Sequence, residues 1–182
     1  AYTDPLGAAF TVIALVGALL YRRRTGKGTY IDQTQAEAGA YFLGPTLMDY
    51  FANGRAAGRE GNRDACMAPH GVFPCPGKDR WVAIAVANED EWQRFCRALG
   101  KEAWLQDERF ATAVARKENE SELEALIAEW TAQRAPQEIA DLLQSAGVAA
   151  GIVATAEDIF NDPQLKHREH FGMVAHKVVG PY

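Results

Sequence analysis

Asp4 stands immediately before Pro5 and a long apolar run, a setting with two chemical readings. As a helix N-cap it would accept backbone N–H bonds and need no further role. The same position, where the helix dipole and free N–H groups favour negative charge, can also hold a reactive carboxylate ionised and oriented. Such a carboxylate can act as a covalent nucleophile toward an activated acyl group, splitting one hard transfer into easier steps. Cys66, His70 and Cys75 lie close enough in sequence to suggest zinc. A structural zinc site takes four ligands in paired short spacings, however, and the sequence lacks that pattern, so no metal site is expected. Cys75, after Phe73-Pro74, and Cys96, on an apolar helix face, read as small buried hydrophobes. No motif surrounds His167, His170 or His176. Arg22, Arg23, Arg24 and Lys27 could grip phosphates, but a helix C-terminus gives those cations a sufficient electrostatic reason to be there.

The elements that must position these groups begin with a helix over 5–24, with Asp4 at its N-cap, Pro5 in its first turn, and Gly26 and Gly28 ending it. It is apolar almost all round (Val12, Ile13, Leu15, Val16, Leu19, Leu20), which predicts a helix buried on most sides. A short extended stretch over 29–32 leads to a second apolar helix over 35–51, which Gly44-Pro45 should break or kink. From 52 to 69 the chain is rich in Gly, Arg, Asn and Ala without periodicity, a long loop of the kind that is often functional. A hairpin is expected from 71–75 and 80–86, turning at Pro76-Gly77-Lys78-Asp79. Next comes a helix over 87–100 with Trp92, Phe95, Cys96 and Leu99 on one face. A polar connection carries Trp104, Phe110 and Arg116. Amphipathic helices over 121–133 and 136–146, a strand over 148–153, a short helix over 156–160 and a weaker strand over 173–178 complete the reading. The fold class is α/β, with long apolar helices followed by a small mixed α/β domain.

At 182 residues and 48% apolar side chains, the chain suits one ordinary folded domain and excludes global disorder. A net charge of −5 argues against nucleic acid or an anionic membrane as the main partner. Three cysteines are too few, and odd in number, for a secreted disulfide framework, so the cytoplasm is the expected compartment. The apolar run over 8–21 is shorter than the roughly 20 residues of a bilayer span and has no basic segment before it, which predicts a core helix and no membrane partner.

Several runs follow one another in a fixed order: Asp4-Pro5-Leu6-Gly7 with its apolar helix, Arg22-Arg23-Arg24-Thr25-Gly26-Lys27-Gly28, Tyr30-Ile31-Asp32, Gly61-Asn62 and Ala68-Pro69-His70-Gly71-Val72-Phe73-Pro74-Cys75. After them come Asp79-Arg80-Trp81-Val82-Ala83-Ile84-Ala85, the stretch from Trp92 to Leu99, Trp104 with Asp107 and Phe110, and Ala146-Gly147-Val148 with Gly151 and Val153. Together these runs resemble the family III CoA-transferases, a group that includes formyl-CoA transferase, carnitine CoA-transferase and the α-methylacyl-CoA racemases. The resemblance implies that Asp4 is the catalytic nucleophile, passing CoA between carboxylic acids through an aspartyl-CoA thioester. It implies acyl-CoA and a carboxylic acid as substrates, no permanently bound cofactor, and an interlocked homodimer.

By the same resemblance, residues 1–52 belong to a large CoA-binding domain, 53–68 form an active-site loop, and 69–182 form the small α/β domain. Most CoA contacts are then expected in chain preceding Ala1, which makes this sequence an internal piece of a longer enzyme. Cys66, Met67, Ala68 and His70 are carried over as substrate-binding residues. Where formyl-CoA transferase has a glycine run, this chain has Asp64-Ala65-Cys66-Met67, which points to a different and larger acid. Two alternatives stand beside this. In a racemase the equivalent aspartate would transfer a proton, paired with a histidine preceding Ala1. Or the isolated chain is an inactive folded module, whose apolar first helix drives self-association.

Overall fold

The computed structural model describes residues 2–172 and 175–181. The chain divides into two compact units, Ala1–Arg59 and Glu60–Tyr182.

The first unit is helical: α1 spans Thr3–Thr25, α2 Gln35–Phe42 and α3 Gly44–Asn53. Helix α1 ends as its sequence requires, with Gly26 left-handed at the C-cap and Arg22, Arg23 and Arg24 in the last turn. Its start differs from the expected one. Tyr2 holds the N-cap position with no side-chain cap, and Asp4 lies inside the first turn. The Asp4 carboxylate is taken up by a neighbouring segment rather than by the helix's own N–H groups, and Pro5 still falls where a missing N–H costs nothing. The anticipated break is real: α2 stops at Leu43, and Pro45 falls in the first turn of α3.

Two glycines let α1 and α2 approach closely. A Cβ on Gly39 would sit 2.8 Å from Thr3 Cγ2, and one on Gly7 would sit 3.1 Å from Gln35 Cγ. The expectation that α1 is buried on most sides is corrected, since Gly7 is its one buried residue. Ile13 and Leu19 are 65% and 57% exposed. At 1.5 Å per residue α1 is about 34 Å long and α2 about 12 Å, so α2 cannot cover it. By length and composition alone α1 is also apolar enough to cross a membrane.

The second unit holds an antiparallel sheet in the order β1 (His70–Pro74), β2 (Trp81–Ala85), β3 (Ala149–Ile152). Its helices are α4 (Glu89–Leu99), α5 (Ala113–Glu118), α6 (Glu120–Thr131), α7 (Pro136–Ser145), α8 (Ala156–Asn161) and α9 (Pro163–His167). A 3-10 turn covers Glu102–Leu105. Short strands β4 (Ala175–His176) and β5 (Gly180–Pro181) pair near the end; the start of the strand expected over 173–178, Met173 and Val174, lies outside the described residues. Asn88 caps α4 by accepting from the Glu91 N–H at 2.9 Å, which turns Trp92, Phe95, Cys96 and Leu99 together into the core.

Strand alternation gives the sheet two unlike faces. The rows Phe73–Val82–Ile152 and Gly71–Ile84–Ala150 face the core, where α6 packs on β1 and α7 on β2 and β3. The rows His70–Ala85–Ala149 and Val72–Ala83–Gly151 form the opposite face.

Candidate functional site

In the helical unit the candidate is Asp4, exposed in the first turn of α1. Thr34 caps α2 by accepting from the Glu37 N–H at 3.0 Å, which places Gln35 at the head of that helix. With no side chain on Gly7 in the way, Gln35 Nε2 donates to Asp4 Oδ1. Nearby, the Thr11 hydroxyl lies 2.8 Å from Gly7 O and 2.5 Å from Gln33 Oε1, and its one proton, shared between these acceptors, stitches the segment before α2 onto α1. Among the described residues Asp4 has no ion pair, and its second carboxylate oxygen has no hydrogen bond. A neutral amide thus orients the carboxylate without neutralising it, and leaves one oxygen free to attack an electrophile.

Cys66, Met67, Ala68 and His70 fall together on one stretch of the other unit, the loop entering β1. Its backbone is tied down almost residue by residue. Asp64 Oδ1 accepts the N–H groups of Cys66 (2.8 Å) and Met67 (3.0 Å), and these bonds hold its carboxyl below the ordinary carboxylate range. Lys117 Nζ donates to Asp64 O at 2.6 Å, Arg116 Nε to Ala68 O at 2.9 Å, and Val86 N to Pro69 O at 2.9 Å. Arg63 adds a fork onto Glu124 and a bond to Ser121 at 2.9 Å, fixing the loop to α6. The Ala68–Pro69 peptide is cis.

Between these anchors Cys66 is exposed and Met67 half-buried, so their side chains are presented on a fixed backbone. Ala68 is only 2% exposed and its carbonyl is taken by the buried Arg116, so, against expectation, it presents no surface to a substrate. The half-buried His70 ring has Nδ1 2.6 Å from Asn62 O. A carbonyl only accepts, so Nδ1 carries a proton and Nε2 is the nitrogen left for other partners. His70 also lines a concavity of about 370 Å³ on the outer sheet face, with Asn62, Val72, Ala83 and Ala85.

Cys75 and Cys96 are buried as expected, and burial pushes the Cys96 thiol up to about 12. Among the described residues no three His, Cys, Asp or Glu side chains gather as a metal site would require. The sequence reading missed Gln35, Arg116 and Lys117. Only the Thr34 cap signal, which fixes where α2 begins, could have drawn attention to Gln35.

The profile of CoA-transferase family III matches residues 1–182. This chain belongs to that family. It is 35% identical over 174 residues to the Mycobacterium tuberculosis protein named "Probable CoA-transferase Rv1866", covering 96% of this chain and 22% of that protein. To the succinate–glutarate CoA-transferase of Agrobacterium fabrum it is 30% identical over 168 residues, covering 92% of this chain and 42% of the relative. The chain therefore spans less than half the length of these curated relatives. The crystal structure of a CAIB/BAIF family protein from Brucella suis superposes with a TM-score of 0.81 at 30% identity, covering all of this chain and 50% of that one.

Proposed function

We propose that the enzyme containing this chain moves CoA between carboxylic acids, with Asp4 as the covalent nucleophile. An Asp4 oxygen attacks the thioester carbon of acyl-CoA and expels CoA thiolate, giving a mixed anhydride. The thiolate then attacks the aspartyl carbonyl, releasing the donor acid and leaving an aspartyl-CoA thioester. An acceptor carboxylate attacks that thioester and frees the thiolate once more. The thiolate takes the new acyl group from the second anhydride and restores the Asp4 carboxylate. Activation is stored on the enzyme throughout, so no ATP is consumed as long as water is kept from the anhydride.

The observation that carries this reading is the exposed Asp4 carboxylate, oriented by the Gln35 amide and, among the described residues, paired with no cation. Cys66, Met67 and His70 are read as substrate-binding residues, and acyl-CoA is a substrate rather than a resident cofactor. The name of the Agrobacterium relative pairs two diacids larger than oxalate, which agrees with side chains on the 64–67 loop where formyl-CoA transferase has a glycine run. The exposed apolar faces of α1, α2 and α3 are covered in a homodimer, and three free cysteines suit the reducing cytoplasm.

Incubating the intact enzyme with succinyl-CoA and then hydroxylamine is expected to convert Asp4 to its hydroxamate, read by mass spectrometry of the Asp4 peptide. Asp4→Asn should abolish both label and transfer to glutarate. An unlabelled Asp4, with proton exchange alpha to the thioester of a branched acyl-CoA, would overturn the covalent route in favour of racemisation.

A further inference from the structure

Two of the four steps of the transfer take place at the carboxyl carbon of Asp4 itself: thiolate attack on the mixed anhydride and acceptor attack on the aspartyl-CoA thioester. In each, the C=O electron pair moves onto the aspartyl oxygen, and an N–H aimed at that oxygen stabilises the charge as it develops. Gln35 is placed to supply it. Its Nε2 donates to Asp4 Oδ1, while the other carboxylate oxygen has no hydrogen bond among the described residues.

The placement is built into the pairing of α1 with α2. Gln33 Nε2 donates to Thr34 O at 2.9 Å, the Tyr2 hydroxyl to Gly39 O at 3.4 Å, and the rings of Phe10 and Tyr41 meet edge to face at 5.6 Å. Because a Cβ on Gly7 would stand 3.1 Å from Gln35 Cγ, glycine at that position leaves the Gln35 side chain its path to Asp4. The side-chain type also suits the chemistry. An amide carries its N–H groups without titrating, and unlike lysine it adds no positive charge that would blunt the carboxylate's attack on a thioester.

We propose that Gln35 is a catalytic residue, the oxyanion donor for both reactions at the aspartyl carbonyl. The free oxygen, Oδ2, bonds to the acyl carbon as the C–S bond of acyl-CoA breaks, so Oδ1 remains as the carbonyl oxygen beneath Gln35 Nε2. When the CoA thiolate adds to the aspartyl carbon, the C=O pair moves onto Oδ1. That pair returns as the bond from the same carbon to Oδ2 breaks, and the donor acid leaves as a carboxylate carrying Oδ2. The acceptor carboxylate then adds to the aspartyl carbon, Oδ1 takes the charge again, and the C–S bond breaks to free the thiolate. Gln35 gains and loses no proton. The first and last steps put their charge on the acyl oxygen instead and owe nothing to this donor. The inference rests on Asp4 as the nucleophile and lies wholly within the unit over Ala1–Arg59.

The test uses the intact enzyme, labelled with carbon-13 in its aspartate carboxyl groups and converted to the aspartyl-CoA adduct with succinyl-CoA. The wild type is compared with Gln35→Leu, with Gln35→Glu, which keeps the shape without the N–H, and with Gly7→Ala, which crowds Gln35 without altering it. Two quantities are read: the infrared carbonyl stretch of the adduct, and the rate at which added glutarate releases CoA from it. Loss of the donor should move the stretch to higher wavenumber in both Gln35 variants and slow CoA release by about a hundredfold, the low end for removal of one oxyanion donor. The KM for glutarate should stay unchanged, and Gly7→Ala should shift both readings in the same direction by less. Slower release with an unmoved stretch would mean that Gln35 only holds the two helices together, and would overturn the proposal. Unchanged stretch and unchanged release would overturn it as well. A wild-type enzyme that forms no adduct at Asp4 would instead overturn the functional reading beneath it.

Discussion

In the unit over Glu60–Tyr182, Val82, Phe95, Phe110, Leu123, Ile127 and Ile139 are all 0% exposed, whereas in the unit over Ala1–Arg59, Ile13, Leu19 and Phe42 keep 65%, 57% and 58% of their surface. The difference follows from patterning. Helix α4 gathers Trp92, Phe95, Cys96 and Leu99 on one side and leaves Glu89, Asp90, Gln93 and Arg97 on the other, so a single neighbouring layer closes its core. Helix α1 is apolar all round, and no single neighbour can cover it. One unit carries its own hydrophobic stabilisation, while the other holds apolar surface that only further protein or another apolar phase could use.

The largest effect that would break this contrast is on stability. Phe95→Ala should destabilise the intact chain by about 3–5 kcal/mol, through lost burial and the cavity left behind. Leu19→Ala, on the exposed face of α1, should stay within about 0.5 kcal/mol at concentrations low enough to keep the chain monomeric. Urea denaturation of the two variants checks this directly. A comparable loss at Leu19 would mean that α1 is buried in the molecule as it exists in solution.

Association comes next in size. Apolar side chains exposed along α1 should drive concentration-dependent self-association, read by light scattering. Replacing Leu15 and Leu19 together with glutamate should weaken it by about tenfold or more, since each 1.4 kcal/mol of lost burial is a factor of ten. A compact monomer at high concentration, unaffected by the double change, would remove the argument for a homodimer.

The same contrast explains how much of the molecule was legible from the sequence. The core face of α4 could be read directly, because Trp92, Phe95, Cys96 and Leu99 recur at helical spacing. The break between α2 and α3 was legible from Gly44-Pro45, whose chemistry is local. Asp4 stood out through its place before Pro5 and the apolar helix and through the resemblance, but its partner Gln35 did not. That contact depends on the close approach permitted by Gly7 and Gly39, which only three-dimensional packing reveals. Arg116 was hidden more completely. It sits on a helix of 6 residues, too short to show a period, and its acceptors Glu89 and Ala68 lie 27 and 48 positions away. The burial expected of α1 failed for a related reason: periodicity shows which faces are apolar, not what covers them.

The smallest effect sharpens the comparison at the margin of the closed unit, where charge rather than burial does the holding. Asp158, in the first turn of α8, accepts from Arg80 Nη1 at 2.6 Å and from the Thr155 N–H and hydroxyl, both at 2.8 Å. The Arg80 guanidinium first, then the Thr155 bonds, hold its carboxyl well below the ordinary carboxylate range. The unfolded chain then binds that proton at higher pH than the folded one does. The contribution is therefore fully present above the ordinary carboxylate range and is lost as pH falls through that range toward the lowered folded value. Below that range, amide exchange over Ala156–Asn161 should quicken while Leu123 and Ile127 on α6 stay protected. Asp158→Asn should show the quickened exchange already at neutral pH and flatten the acid dependence. If α6 lost protection together with α8, the margin and the core would be one cooperative unit, and the distinction between charge-held and burial-held parts of Glu60–Tyr182 would fall.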